Sequence, residues 1–163
     1  MKSLKLFPWQ KNKKKSTILK NEKNEELIQE LRSEGITDEK ILSAIRMVPR
    51  DLFTEKLDEA YENKALSVEC HQTLTQPFCT AFMISCLDLT PIHNVLEIGT
   101  GVGWTTAVIS KLVKTVFTME RFKKLLDRAK KNIAKLNIKN VHYKLGNGFE
   151  GWREKILFYA TFI

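Results

Sequence analysis

The stretch "VLEIGTGVGWTT", Val95–Thr106, decides how the rest of the chain is read. A mostly apolar run leads into three glycines at alternate positions, Gly99, Gly101 and Gly103, and then into residues able to open a helix. A strand that passes through a glycine-rich turn into a helix N-terminus makes a ligand site. Missing side chains let a ligand meet the backbone, and free N–H groups are expected to point outward. The dinucleotide fingerprint is G-x-G-x-x-G. Counted from Gly99, its sixth position falls on Trp104, so the pattern here is G-x-G-x-G, with Glu97 inside the strand. That variant suits a nucleoside ligand without a pyrophosphate.

The residues downstream repeat the theme. Strands are expected at His93–Ile98, Thr115–Met119, Val141–Leu145 and Phe158–Ile163. Helices are expected at Trp104–Val113 and Arg121–Asn137, the second with Phe122, Leu125, Leu126, Ala129, Ile133 and Leu136 facing inward. Strands joined by helices imply a parallel sheet. Glu120 ends the second strand, 21 positions after Gly99, where a carboxylate can accept both hydroxyls of a ribose. "LGNGFEGW", Leu145–Trp152, ends the third strand, and its glycines and Asn147 are placed to flank a purine. Three such elements at the carboxyl ends of successive strands outweigh one glycine cluster, which a tight turn alone would explain.

Upstream the periodicity is helical. Asn24 is expected to cap a helix carrying Leu27, Ile28 and Leu31 on one face, with Gly35 as its stop. Thr37 is expected to cap a second helix with Ile41, Ala44, Ile45 and Val48 as its stripe, ended by Pro49. Residues 50–77 read as irregular, and Pro77 opens a helix to about Leu87. The organisation expected is a disordered lysine-rich tail over 1–23, a helical and loop region over 24–90, and a nucleoside-binding α/β unit over 91–163.

The net charge of +8 belongs to that tail. Residues 1–20 hold seven lysines and no acid, and the remaining chain holds 20 basic and 19 acidic residues. A lysine-rich leader can touch nucleic acid or an anionic membrane. The plainer reading is a solvated tail, with no nucleic-acid or membrane partner. No apolar run reaches the roughly 18 residues of a transmembrane helix, and no secretory signal is evident. Cys70, Cys79 and Cys86 have spacings that suit no zinc knuckle, so no metal is expected; they read as reduced thiols of a cytoplasmic protein rather than as a disulfide.

The glycine turn and its partners resemble the Rossmann-like methyltransferases that use S-adenosylmethionine. The resemblance narrows with "MVPRDLF" (Met47–Phe53), "YENKALSV" (Tyr61–Val68), "QTLTQPFCTAFM" (Gln72–Met83), "TMER" (Thr118–Arg121) and "GNGFEGW" (Gly146–Trp152). In that order, over roughly 25–163, they resemble the protein-L-isoaspartate O-methyltransferases. The resemblance implies a Rossmann-like sheet of parallel strands with helices on both faces, preceded by a helical region. It implies S-adenosylmethionine as cofactor and isoaspartyl proteins or peptides as partners.

The reaction implied is methylation of the α-carboxylate freed when aspartate or asparagine isomerises into the main chain, a step in protein repair. The acceptor has a pKa of about 4 and is already ionised at neutral pH. The leaving group is a neutral thioether, so no proton has to move. In-line positioning of oxygen, carbon and sulfur is then the main lever and can supply about 7–11 kcal/mol.

Residue by residue, the resemblance places Thr75 of "QTLTQP" at the reacting groups, with Gln72, Thr73, Gln76 and Pro77 beside the acceptor. It places Gly99 and Gly101 at the methionine part of the cofactor, Glu120 at the ribose, and Gly146, Asn147 and Gly148 at the adenine, and counts Glu97, Thr100, Gly103 and Arg121 among the cofactor-binding residues.

Three positions depart from the family pattern: Asn147 stands for an aspartate, Tyr159 for an acid, and His71 for the glycine before "QT". The family also continues past strand four. The expectation is therefore a truncated member, from a frameshifted or split gene, with reduced or no activity and an apolar edge at Ile156–Ile163 open to self-association. Another methyltransferase of the same fold acting on RNA, and an inactive fragment, are the alternatives.

Overall fold

The computed structural model describes residues 8–152 and 158–163, with side chains from Leu19 onward. Helix α1 spans Pro8–Ser33 and buries Leu27, Ile28 and Leu31 almost completely. Burying each such side chain contributes about 1.5–3 kcal/mol. The helix begins well before Glu25, which corrects the expected disordered tail over residues 8–23; residues 1–7 lie outside the described residues. Asn24 does not cap it. Its Nδ2 donates to the Arg46 carbonyl at 2.9 Å, and Lys20 pairs with Asp51 at 2.5 Å. These tertiary partners, together with the good helix propensity of lysine and glutamate, extend the helix backwards.

Helix α2 spans Glu39–Met47 and is capped by Asp38, not Thr37, through a 2.8 Å bond from the Lys40 amide. Ile41, Leu42, Ala44 and Ile45 are buried against α1 and against α3, Pro77–Ser85. The segment between is irregular, as its sequence implies, apart from short 3-10 turns and a two-stranded antiparallel pair, β1 (Leu66–Ser67) with β2 (Thr73–Leu74).

The second sheet has four parallel strands: β3 (Asn94–Ile98), β4 (Thr115–Glu120), β5 (Val141–Leu145) and β6 (Ala160–Phe162), in the order β5-β4-β3-β6. Helix α4 (Trp104–Ile109) joins β3 to β4, and α5 (Lys123–Ala134) joins β4 to β5. Expected helix ends were too generous by several residues, because the last turns fray into irregular backbone. One face of the sheet, with Val95, Val116, Val141 and Tyr143, joins the core that includes residues of all five helices. The other face carries Leu96, Phe117 and Met119, packed by Ile98, Trp152 and Phe158. Among the described residues the helices therefore cover one face of the sheet.

No helix of the described residues is long and apolar enough to cross a membrane. Cys70, Cys79 and Cys86 are free thiols.

Candidate nucleoside site at the carboxyl ends of the strands

The register of β3 on β4 determines the shape of the glycine turn. Ile98 pairs with Met119, so β4 runs one residue further and presents the Met119 carbonyl and the Glu120 side chain to the turn. The amides of Gly99 and Thr100 donate to Met119 O at 2.8 and 3.1 Å. The Gly101 amide donates to Glu120 Oε2 at 2.8 Å, and the Gly103 amide to Thr100 O at 2.9 Å. The expectation of free outward N–H groups fails for these four residues. The neighbouring strand satisfies the first three and the turn's own Thr100 carbonyl the fourth, which makes the turn rigid.

The glycines have different tasks. Gly99 and Gly101 have φ of +95° and +55°, and a Cβ on either would meet nothing within 4 Å. They face open space. Gly103, at φ +94°, would place a Cβ 3.0 Å from both Ala129 Cβ and Ile133 Cδ1, so it lets α5 pack against the start of α4. Asn132 Nδ2 donates to Val102 O at 3.1 Å and ties α5 to the same turn.

Glu120 is buried, and its second oxygen accepts from the Phe122 amide at 2.9 Å. Each oxygen uses one of its two lone-pair directions, so further hydroxyl donors can still be accepted. Arg121 is exposed, with its guanidinium 4.6 Å from the centre of the Phe122 ring. Gly146 continues the ladder to the Glu120 carbonyl at 3.0 Å. Asn147 is exposed and caps a turn over Gly148–Glu150, its Oδ1 accepting from the Phe149 amide at 3.1 Å. Gly148 approaches the sheet so closely that a Cβ would lie 2.1 Å from Ile98 Cγ2.

Thr73, Leu74 and Thr75 line one cleft with the turn Gly99–Gly103 and with Trp104 and Thr105. The segment expected to hold the acceptor and the turn expected to hold the nucleoside thus share a cavity. Gln72 and Gln76 use their amides on backbone carbonyls: Gln72 on Cys70 and His71, Gln76 on Asn63 at 2.9 Å. Pro77 is buried at the first turn of α3. His71 has φ +56° directly after Cys70 at +59°. A left-handed backbone there is the physical reason for glycine in the related pattern.

Arg50 is the residue whose role sequence reading missed. It is 1% exposed. Its terminal nitrogens donate to Ala60 O at 2.9 Å, Lys64 O at 3.0 Å and Thr75 O at 3.0 Å, with a longer contact to Glu62 O. Its guanidinium carbon lies 5.1 Å from the Trp104 ring centre, and Trp104 Nε1 donates to Val48 O at 3.2 Å. Trp104 packs in the core and borders the cleft with almost none of its surface exposed. The motif "VPR" therefore fastens the acceptor segment to the start of α4. Its place inside the motif "MVPRDLF" was the signal available for it.

Glu97 is fully enclosed and sits on Thr106 and Thr118. Burial pushes its carboxyl up to about 7, the two hydroxyls pull it back in part, and the Glu120 charge adds to the rise. Released on unfolding, the group returns to 4.5. The folded chain holds the proton more tightly, so this contribution to stability is full below the unfolded value and is lost as pH rises through about 7. Across that window it amounts to about 3 kcal/mol. Glu97→Gln, which cannot ionise, should flatten the melting temperature between about pH 5 and pH 8 relative to the parent chain. An unchanged slope in the variant would contradict this assignment.

Residues 21–163 match the model of the family described as Protein-L-isoaspartate(D-aspartate) O-methyltransferase (PCMT). Protein-L-isoaspartate O-methyltransferase of Dictyoglomus turgidum (strain DSM 6724 / Z-1310) is 46% identical over 134 residues, covering 81% of this chain and 61% of that protein. The enzyme of Aliivibrio fischeri (strain ATCC 700601 / ES114) is 46% identical over 145 residues, covering 88% of this chain and 70% of that protein. Among solved structures, a protein-L-isoaspartate O-methyltransferase superposes with a TM-score of 0.78 at 31% identity, over 85% of this chain and 47% of that one. A Plasmodium falciparum protein in complex with S-adenosyl-L-homocysteine superposes with a TM-score of 0.69 at 21% identity, over 79% and 65% of the two chains, and shows the fold alone. This chain thus spans between three fifths and about seven tenths of the two curated relatives' length. With the family model matched over nearly all of the described fold, the chain belongs to the protein-L-isoaspartate (D-aspartate) O-methyltransferase family.

Proposed function

We propose that the cleft binds S-adenosylmethionine and that the chain contributes to methylation of isoaspartyl carboxylates in damaged proteins. One observation carries this reading. Glu120 and the open-facing Gly99 and Gly101 meet at the carboxyl ends of β3 and β4, in contact through the Gly101 amide, and Thr75 lines the same cleft. The donor set fits a nucleoside: a buried carboxylate with spare lone pairs beside two glycines that face open space.

Bound there, the cofactor supplies a methyl group on a positively charged sulfur. The chain's own residues do the rest by placement. Glu120 accepts from the ribose hydroxyls, and Gly99 and Gly101 let the methionine part lie on the backbone. The turn at Gly146–Gly148 borders the base. Thr75 offers a hydroxyl at the reacting groups, held by the Arg50 bond to its own carbonyl. The acceptor carboxylate is ionised without help, which suits a cleft with no histidine in its lining. The three free thiols fit the reducing cytoplasm, where this reading places the protein.

Calorimetric titration with S-adenosylhomocysteine tests the proposal. The parent chain should bind saturably, and Glu120→Ala should weaken binding by about a hundredfold, the equivalent of one to two lost charge-assisted hydrogen bonds. Circular dichroism of the variant separates lost binding from lost fold. Transfer of labelled methyl to an isoaspartyl peptide, reduced in Thr75→Val, tests the reaction. Absence of binding by the folded parent overturns the cofactor assignment. Binding without transfer overturns the enzymatic one.

A further inference from the structure

Four polar side chains inside the fold form one connected chain that no ligand contact requires. Glu97 Oε2 accepts from Thr106 Oγ1 at 2.5 Å and from Thr118 Oγ1 at 2.6 Å. Thr118 Oγ1 also lies 2.6 Å from Thr100 Oγ1. A hydroxyl has one proton, and that of Thr118 goes to Glu97, so Thr100 is the donor to Thr118. With Glu97 accepting, the order runs from Thr100 to Thr118 to Glu97, with Thr106 donating from the other side. All four residues are buried, Thr106 and Thr118 completely. They come from β3, the glycine turn, α4 and β4.

Of these four, Thr100 alone lines the cleft. It stands between Gly99 and Gly101, the two residues that face open space. Glycines at positive φ have no intrinsic preference for one loop conformation, so something else must select it. The paired amides fix the backbone on one side, and the hydroxyl chain fixes the middle residue on the other.

We propose that Thr118 and Glu97 are positioning residues which, through Thr100, hold the glycine turn in its ligand-ready conformation and do not themselves touch the ligand. The proposal rests on the reading of this cleft as the nucleoside site. Hydrogen bonds in such a buried network strengthen one another, and a half-satisfied network is costly. Removing the central hydroxyl strands Thr100 and one lone pair of Glu97 together. Oε1 of Glu97 already has no partner among the described residues, so the carboxyl depends on these two hydroxyls for its hydrogen bonds.

A packing role and a positioning role predict opposite orders for two variants. Thr118→Val keeps the shape and loses the hydroxyl. Thr118→Ser keeps the hydroxyl and loses a methyl. Hydrogen exchange of the amides of residues 99–103 in the ligand-free full chain should speed by about tenfold in Thr118→Val and stay near the parent in Thr118→Ser. Affinity for S-adenosylhomocysteine should fall by about tenfold in the first and be retained in the second. If Thr118→Val does not fold, Thr100→Val removes the far end of the same chain and should give the same pattern of exchange. Parent-like exchange in the valine variant, with faster exchange in the serine variant, overturns the proposal. If the parent binds no S-adenosylhomocysteine, the nucleoside reading fails, while the exchange order still decides the role of Thr118.

Discussion

Arg50→Met should lower the unfolding free energy of this chain by about 3–5 kcal/mol, out of the roughly 5–15 kcal/mol typical of a domain. The argument starts from what the guanidinium does. It serves the carbonyls of Ala60, Lys64 and Thr75 from one planar fork and faces the Trp104 ring. Methionine fills much of the same volume but donates nothing. Each carbonyl left without a partner where water enters poorly costs about 1–3 kcal/mol. The charge is itself unfavourably placed, since burial pulls the Arg50 pKa down to about 10, and its removal offsets part of that cost. Arg50→Lys should rescue little, because one ammonium cannot span carbonyls on three separate segments. Urea denaturation followed by circular dichroism gives the number. A loss under about 1 kcal/mol would mean that the irregular segment holds its shape without the clamp. The variant should also lose ligand affinity beyond its loss of stability, since Thr75 and Trp104 line one cleft.

Gly103→Val should be about as damaging, and its comparison with Gly101→Ala separates two uses of glycine. Both positions have positive φ, which costs a residue with a Cβ about 1–2 kcal/mol. At Gly103 the new Cβ also meets Ala129 and Ile133 at 3.0 Å, and valine adds two methyls beyond it. Overpacking of this kind costs about 1–3 kcal/mol more, so the total is about 2–5 kcal/mol. At Gly101 nothing lies within 4 Å. The alanine there should lose only the backbone share of stability, yet lose affinity for S-adenosylhomocysteine by at least tenfold, since its methyl occupies the ligand's side of the turn. Thermal melts and titration of the same two variants check both halves. Equal stability losses at the two positions would show that α5 yields to a side chain at Gly103.

Part of this site was readable because its chemistry is local in sequence. Gly99, Gly101 and Glu120 stand at spacings set by one strand-turn-helix-strand unit, and local spacing survives without knowledge of the fold. Glu97 shows where that logic stops. It sits in the motif and was counted among the cofactor-binding residues, while its side chain is buried and meets Thr106 of α4 and Thr118 of β4. The strand periodicity of two assigns a residue to one of two faces, and only packing says what each face touches.

Arg50 was harder still. Its partners lie 10 to 25 residues away, on a segment with almost no regular structure, and no periodic pattern carries such pairings. The N-terminal tail failed for a related reason. Its composition reads as solvated, but the helix runs back through it and Lys20 finds a partner on Asp51.

The sequence alone determined the parallel sense of the strands in the α/β unit, the two amphipathic helices that precede it, and the place of the glycine turn. Those features follow from hydrophobic period and from residues whose backbone needs are peculiar to them. Tertiary structure alone decided which amides of the turn are already satisfied, which glycine faces open space and which faces a helix, and how Arg50 joins two distant segments. The physical reason is the same in each case: hydrogen-bond satisfaction and close approach depend on partners that the chain brings together only by folding.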